Sequence, residues 1–267
     1  MKFSTILALA LGTIGVIGSF SLGYLPAQAP SGRAFTFDDL VSIGRVSDTQ
    51  VSPDGKLVAY SVRTPSLEKN SSSSHIWLVP AAGGDPRQLT NHEKGESRPR
   101  WSPDGKWIAF LSSRGGSQQV WRIPLDGGEA RQVTSLSTGA DGHVWSPTGT
   151  HVAFTSDVWP GLEGGDAAQK KREEEIEAAG VKAQVFDGLL YRHWNDWRRG
   201  RRTHVFVVPA EGGEARDLTP GDFDAPPFSL GGPDAFAFSP DGKELAYTRG
   251  PERSVEAWST NADLFVV

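Results

Sequence analysis

Ser102-Pro103-Asp104-Gly105-Lys106-Trp107-Ile108-Ala109-Phe110-Leu111 joins a tight turn to a dense apolar run. Serine first, proline second and glycine fourth suit a type I turn. Proline presets its φ, the Asp or Ser side chain bonds nearby backbone, and glycine accepts a left-handed exit. The same tetrapeptide stands at Ser52-Pro53-Asp54-Gly55 and Ser239-Pro240-Asp241-Gly242, with a degenerate copy at Ser146-Pro147-Thr148-Gly149. Each copy precedes an apolar run: Leu57-Val58-Ala59-Tyr60, His151-Val152-Ala153-Phe154 and Leu245-Ala246-Tyr247. Such runs, without clean alternation, read as strands buried on both faces. The serines are 50, 44 and 93 residues apart, the last step about twice the others. A period in this range means a repeat architecture.

A second motif keeps phase with the first. It appears as His75-Ile76-Trp77-Leu78-Val79-Pro80, Gln119-Val120-Trp121-Arg122-Ile123-Pro124 and His204-Val205-Phe206-Val207-Val208-Pro209. A Gly-Gly turn follows each (Gly83-Gly84, Gly127-Gly128, Gly212-Gly213), then a short strand ending in Leu89-Thr90, Val133-Thr134 or Leu218-Thr219. Four short antiparallel strands per unit of roughly 45 residues make a β-propeller blade. A calcium-binding reading of the Asp-Gly pairs needs a nonapeptide period, which is absent.

The expected fold is therefore all-β: a partial β-propeller of four-stranded blades, about three complete blades plus part of a fourth, with one helical insertion. Residues 30–47 form a lead-in, with Phe35–Leu40 as a short helix, and the incomplete propeller spans 48–267. The insertion covers about 157–202, between the second and third strands of blade three. Asn261-Ala262-Asp263-Leu264-Phe265-Val266-Val267 aligns with the third strand of a blade, so the expectation is a partial sequence of a longer protein.

Composition narrows the function. The formal charge of −5 offers no basic footprint for nucleic acid. With no cysteine, thiol catalysis, Cys-zinc sites, disulfides and a cysteine lipid anchor are all excluded. Lys2, the apolar stretch 5–25 and Ala27-Gln28-Ala29 read as a signal peptide over 1–29, or an uncleaved signal anchor. Export to the periplasm or outside the cell follows, with membrane contact only if the segment stays uncleaved. Asn70-Ser71-Ser72 matches a glycosylation sequon, and the serine run 71–74 reads as a flexible loop.

Within the insertion, Asp166–Gly180 reads as a solvated helix, its basic residues preceding its acidic ones. Then comes Leu190-Tyr191-Arg192-His193-Trp194-Asn195-Asp196-Trp197-Arg198-Arg199-Gly200-Arg201-Arg202. Aromatics interleaved with five arginines suit an anionic or peptidic ligand. The plainer reading has Trp194 and Trp197 packing the insertion onto the blade, with the arginines facing water or pairing with Glu173–Glu177. The candidate substrate-channel residues are Tyr191, Arg192, His193, Trp194 and Trp197. No catalytic residue, metal site or cofactor motif is expected. No G-x-S-x-G elbow occurs, and the six histidines form no metal pattern. His75 and His204 occupy equivalent blade positions, which points to a structural role.

The chain resembles the N-terminal propeller of the prolyl oligopeptidase family of serine peptidases, in its dipeptidyl-peptidase 5 and acylaminoacyl-peptidase branch. The 190–202 segment carries the resemblance, with Thr203–Pro209, Leu218-Thr219-Pro220-Gly221-Asp222-Phe223-Asp224-Ala225-Pro226-Pro227-Phe228, Phe238–Tyr247 and Ser259–Leu264. It implies a propeller that gates a C-terminal α/β-hydrolase domain bearing a Ser-Asp-His triad. That domain would be the propeller's partner, with oligopeptides as substrates losing short N-terminal peptides or acylaminoacyl groups. The hydrolase domain is absent here, so no catalytic residue is carried over. The alternative expectation is a periplasmic interaction propeller of the Tol-Pal translocation type, without enzymatic activity.

Overall fold

The computed structural model describes residues 32–267 apart from 182, 187, 190 and 228–231. The expected signal segment lies outside the described residues. The lead-in holds α1 (Phe37–Ser42), begun by a reciprocal cap: the Thr36 hydroxyl accepts from the Asp39 N–H, and the Asp39 carboxylate accepts from the Thr36 N–H.

Each repeat unit becomes one antiparallel sheet whose strands pair in chain order. The first is β1 (Arg45–Val51), β2 (Leu57–Ser66), β3 (Ser71–Pro80) and β4 (Arg87–Gln88). The second is β5 (Ser97–Trp101), β6 (Trp107–Ser112), β7 (Gln119–Pro124) and β8 (Arg131–Gln132). The third begins with β9 (Asp141–Trp145) and β10 (His151–Val158). It is interrupted by α2 (Gly165–Ala178) and a small hairpin, β11 (Arg192–His193) and β12 (Asp196–Trp197). It resumes as β13 (Arg202–Pro209) and β14 (Arg216–Asp217). The fourth has β15 (Phe236–Phe238), β16 (Leu245–Arg249) and β17 (Asp263–Val266). The all-β partial propeller with one helical insertion is what the chain forms.

The tetrapeptide works as a small hydrogen-bonded unit. In the three full copies Ser52, Ser102 and Ser239 donate to the second-next Asp carboxylate at 2.7, 2.6 and 2.7 Å. The same oxygen accepts the following Lys N–H at 3.1–3.2 Å. The serine oxygen then accepts the N–H of Leu57 or Trp107, the first residues of β2 and β6, or of Glu244, just before β16. Gly55, Gly105 and Gly242 turn the chain at φ of 73, 69 and 71°. In the degenerate copy Thr148 offers a hydroxyl 3.1 Å from Ser146 in place of the carboxylate. The serine hydroxyl, then the lysine N–H, holds the carboxyls of Asp54, Asp104 and Asp241 below their usual range. A lowered folded-state pKa stabilises above the unfolded value of about 3.9 and is lost as pH falls through the folded value. Thermal melts between pH 5 and pH 2 should show it: a triple Asp54→Asn, Asp104→Asn, Asp241→Asn variant declines less steeply than the parent.

The Leu-Thr or Val-Thr ends of the fourth strands have an equally specific task. Thr90, Thr134 and Thr219 are buried, and each hydroxyl accepts a backbone N–H of the neighbouring strand (Ile76, Val120, Val205) at 2.9 Å. Thr134→Val keeps the shape and orphans the buried Val120 N–H. The expected loss is about 1–3 kcal/mol, read from chemical denaturation.

Blades pack through apolar faces. Ile76, Leu78, Ile108 and Phe110 join the first to the second, and Leu111, Val120, Trp145 and Phe154 join the second to the third. Val205, Ala225, Phe236 and Leu245 join the third to the fourth. Strands β6 and β10 are buried on both faces, as their unbroken apolar runs foretold. Polar ties accompany the packing. The indole N–H of Trp101 donates to the Gln50 carbonyl at 3.0 Å, and that of Trp145 to the Arg100 carbonyl at 3.1 Å. Phe238 occupies the same position in the fourth blade and has no donor.

The serine run 71–74 is a correction. It is not a loop but the start of β3, paired with Arg63–Ser66. The chain turns just before it, with Asn70 at φ 45°. Alternating strand pairing absorbs small polar side chains that carry no hydrophobic signal.

Candidate functional site

Strand polarity divides the propeller into two rims. The Ser-Pro-Asp-Gly and Gly-Gly turns share one rim, where Ala81, Leu125 and Ala210 N–H groups donate to Lys56, Lys106 and Thr150 carbonyls at 2.8 Å. The loops between second and third strands, and the connectors from blade to blade, share the other. The insertion rises from this second rim.

The candidate residues gather on the β11–β12 hairpin. Arg192 pairs with Trp197 and His193 with Asp196, while Trp194 makes the turn at φ 51°. Phe186, Tyr191 and Trp197 form a stacked trio with ring centroids 4.7–6.0 Å apart. The Arg192 guanidinium lies 5.6 Å from the Trp197 ring centre. Trp194 is 88% exposed. It therefore does not pack the insertion onto the blade; Trp159 does. The Trp159 indole donates to the Arg199 carbonyl at 2.9 Å, and the buried Gln169 amide bonds both its N–H and its carbonyl, at 2.8 and 2.9 Å. That amide pair docks α2, whose Lys170 and Lys171 face Glu174 and Glu175 of the same helix at 4.0 Å.

Two of the arginines have an acid outside α2. Arg198 and Arg202, both buried, converge on Asp224, which is 3% exposed. Arg202 lies 3.1 Å from Asp224, 2.8 Å from Asp222 and 2.8 Å from Glu256. Asp224 also accepts the Thr203 N–H at 2.8 Å. Burial pushes the Glu256 carboxyl up, against the pull of Arg202. The cluster clamps the base of the insertion to the connector between the third and fourth blades. No motif marks Asp222 and Asp224 for this task; acids just before a Pro-Pro step, in a chain that also holds an arginine-rich segment, are the available signal.

A second charge cluster bridges the innermost strands. β1, β5 and β9 each carry an irregularity at equivalent positions, with Asp48, Arg98 and Gly142 at φ of 51, 56 and 56°. Such bulges re-aim side chains. Arg100 reaches Asp48 at 2.8 Å and Asp234 at 3.1 Å; Arg98 reaches Asp234 at 2.9 Å and Asp141 at 3.8 Å. Four blades are thereby linked through their inner edges. Burial opposes ionisation of Asp234, yet the charge of Arg98 and the hydrogen bond from Arg100 hold its carboxyl below the usual range. Beside them, His143 is wholly buried, and burial, aided by the charge of Arg100, pushes it down to about 3. It is neutral near pH 7 and lies in the interior.

Between these clusters lies a pocket of about 470 Å³. Asp141 and Asp157 line it with Arg201, Thr203, Pro227 and Pro233. Among the described residues no group of His, Asp and Glu side chains is arranged to hold a metal ion. His204 has both ring nitrogens engaged, with Asp217 at 2.7 Å and the Gly221 carbonyl at 2.9 Å, so it is not available as a base.

Comparison with known proteins agrees with this arrangement. Residues 70–164 match the family model described as the Tricorn protease N-terminal beta propeller domain. The chain is 34% identical to dipeptidyl-peptidase 5 of Porphyromonas gingivalis over 247 residues, covering 90% of this chain and 35% of that protein. It is 34% identical to an uncharacterized peptidase, YuxL, of Bacillus subtilis, covering 81% of this chain and 31% of that one. Among solved structures, the acylaminoacyl peptidase of Pyrococcus horikoshii superposes with a TM-score of 0.59 at 19% identity, over 85% of this chain and 31% of that chain, which is a likeness of fold. The chain thus spans about a third of the length of the relatives it matches.

Proposed function

We infer, from a chain that is β-propeller sequence of the prolyl oligopeptidase family kind, that it is the substrate-gating portion of an exported serine peptidase. The peptidase would remove short N-terminal peptides or acylaminoacyl groups from oligopeptides, using a triad on an α/β-hydrolase domain outside this chain. The observation that carries the reading is the 34% identity to dipeptidyl-peptidase 5, which extends over 90% of the chain and so runs through the insertion as well as the blades. Gating is steric: a rim crowded by an inserted helix and hairpin admits narrow, unfolded chains. Tyr191, Arg192, His193, Trp194 and Trp197 are assigned to the substrate route. Their stacked rings and exposed indole offer faces to peptide side chains at little conformational cost.

The test compares two proteins. The mature chain alone should not turn over dipeptidyl or acylaminoacyl chromogenic substrates. The longer product of its reading frame should do so, and a serine-directed fluorophosphonate should block it. Inhibitor-sensitive turnover by the chain alone overturns the non-catalytic assignment. A longer product that closes its blades and carries no hydrolase domain favours the Tol-Pal type of interaction propeller instead.

A further inference from the structure

Among the described residues, the pocket holds one cation, Arg201, that makes no ion pair. Of the charged groups lining it, Arg198 is bound by Asp224, and Asp141 lies 3.8 Å from Arg98. Asp157 takes the Thr203 hydroxyl at 2.7 Å. Arg201 has no ion pair among the described residues, and its Nε is buried without a hydrogen-bond partner. The Nε atoms of Arg98, Arg122 and Arg198 are in the same state although those arginines are ion-paired, so what sets Arg201 apart is the lack of an ion pair among the described residues.

Arg201 is also held in place. Its guanidinium lies 5.6 Å from the centre of the Trp159 ring. Trp159 is buried and fixed through its indole N–H and through both backbone groups by Gln169. A guanidinium stacked on an anchored ring presents its donors as a rigid fork, the geometry that matches a carboxylate. The pocket volume of about 470 Å³ falls within the range of small-ligand sites. Pro226, Pro227 and Pro233 give it a stiff apolar wall, and Asp157 offers an acceptor for backbone N–H groups.

We propose that this pocket is a peptide-binding subsite in which Arg201, stacked on Trp159, receives a carboxylate of the peptide. The choice of a peptide rests on the gating function inferred above; the carboxylate rests on Arg201 itself. The carboxylate has two sources, an acidic side chain or the peptide C terminus, and the negative charges of Asp141 and Asp157, which also line the pocket, favour its lying beside Arg201.

Isothermal titration of the purified mature chain distinguishes them with three probes: tetra-alanine as the free acid, tetra-alanine amide, and the amide of Ala-Glu-Ala-Ala. The expected result is that one or both carboxylate-bearing probes bind better than tetra-alanine amide, and which of them does names the source. Arg201→Gln should weaken that binding about 10–100-fold, the range for a lost hydrogen bond to a charged group, and leave the plain amide unaffected. Arg201→Lys keeps the charge without the fork and should fall between. If Arg201→Gln melts early, Arg201→Lys alone decides: affinity unchanged from the parent overturns the site. Equal binding of all three probes, binding insensitive to Arg201, or no binding at all also overturns it. None of these outcomes touches the turnover comparison that tests the gating function.

Discussion

Asp224→Ala is expected to cost about 3–5 kcal/mol, because it removes the buried carboxylate that two buried arginines share, leaving Arg202 with Asp222 and Glu256 only. Arg198 and Arg202 are each less than a tenth exposed, and Asp224 is the acceptor they share. The same carboxylate holds the Thr203 N–H, the second residue of β13. Its backbone ties outward too, since the Gly250 N–H donates to the Asp224 carbonyl at 3.0 Å. The loss therefore falls on the seam between the third blade, the insertion and the fourth blade. Hydrogen exchange should show residues 198–204 and 245–250 losing protection together, while β6 and β7 keep theirs. Asp224→Asn separates the parts: an amide oxygen can still accept from Thr203 but carries no charge for the guanidinia, so most of the loss should persist. A change below about 1 kcal/mol for either variant, the size of an exposed pair, would show that the arginines find water in the folded state.

Gly142→Ala should be the most damaging single-carbon addition. A Cβ at this position would sit 2.0 Å from the Pro233 carbonyl oxygen, which is backbone and cannot swing aside. The φ of 56° adds left-handed strain for any L side chain. Together the two effects should cost about 2–4 kcal/mol in a denaturation midpoint analysis. Gly127→Ala is the control: its φ is 107°, yet a Cβ there meets nothing within 4 Å, so only the conformational cost remains. Similar losses at both sites would mean that the connector before β15 shifts to make room.

The periodic part of this molecule was readable because each blade repeats the same local chemistry. Ser-Pro-Asp-Gly turns, Gly-Gly turns and the closing threonines each satisfy backbone groups within about fifteen residues, so their spacing alone laid out the strands. What escaped the sequence was pairing across blades. Glu96 is fully buried and ties His75 of the first blade, at 2.9 Å, to Arg114 of the second. Arg122 reaches Glu211 across the next interface while lying 4.2 Å from the Trp107 ring centre. Neither partner can be chosen from spacing, because several acids and arginines compete at similar separations. The candidate site split in the same way. The aromatic content of the 190–202 stretch was legible, but not the division of labour within it: Trp159, outside the stretch, does the anchoring, and Trp194 is left to solvent. Arg198, Arg201 and Arg202 looked alike as letters, and only burial separates two clamping arginines from one that has no counter-ion among the described residues.

The two indole-to-carbonyl bonds, Trp101 to Gln50 and Trp145 to Arg100, stitch the inner strands of the second and third blades into the strand before. Phe238 drops that stitch at the fourth blade. A propeller linked in this way is a chain of neighbours whose couplings need not be equal. The first three blades share a directional polar seam as well as apolar packing, whereas the fourth is held by packing and by the salt bridges of Asp234, Asp224 and Glu256. Its attachment consequently leans on charge and packing alone, whereas the joints before it add an indole bond to their own ion pairs, and the molecule acquires a graded rather than uniform cohesion along its sequence.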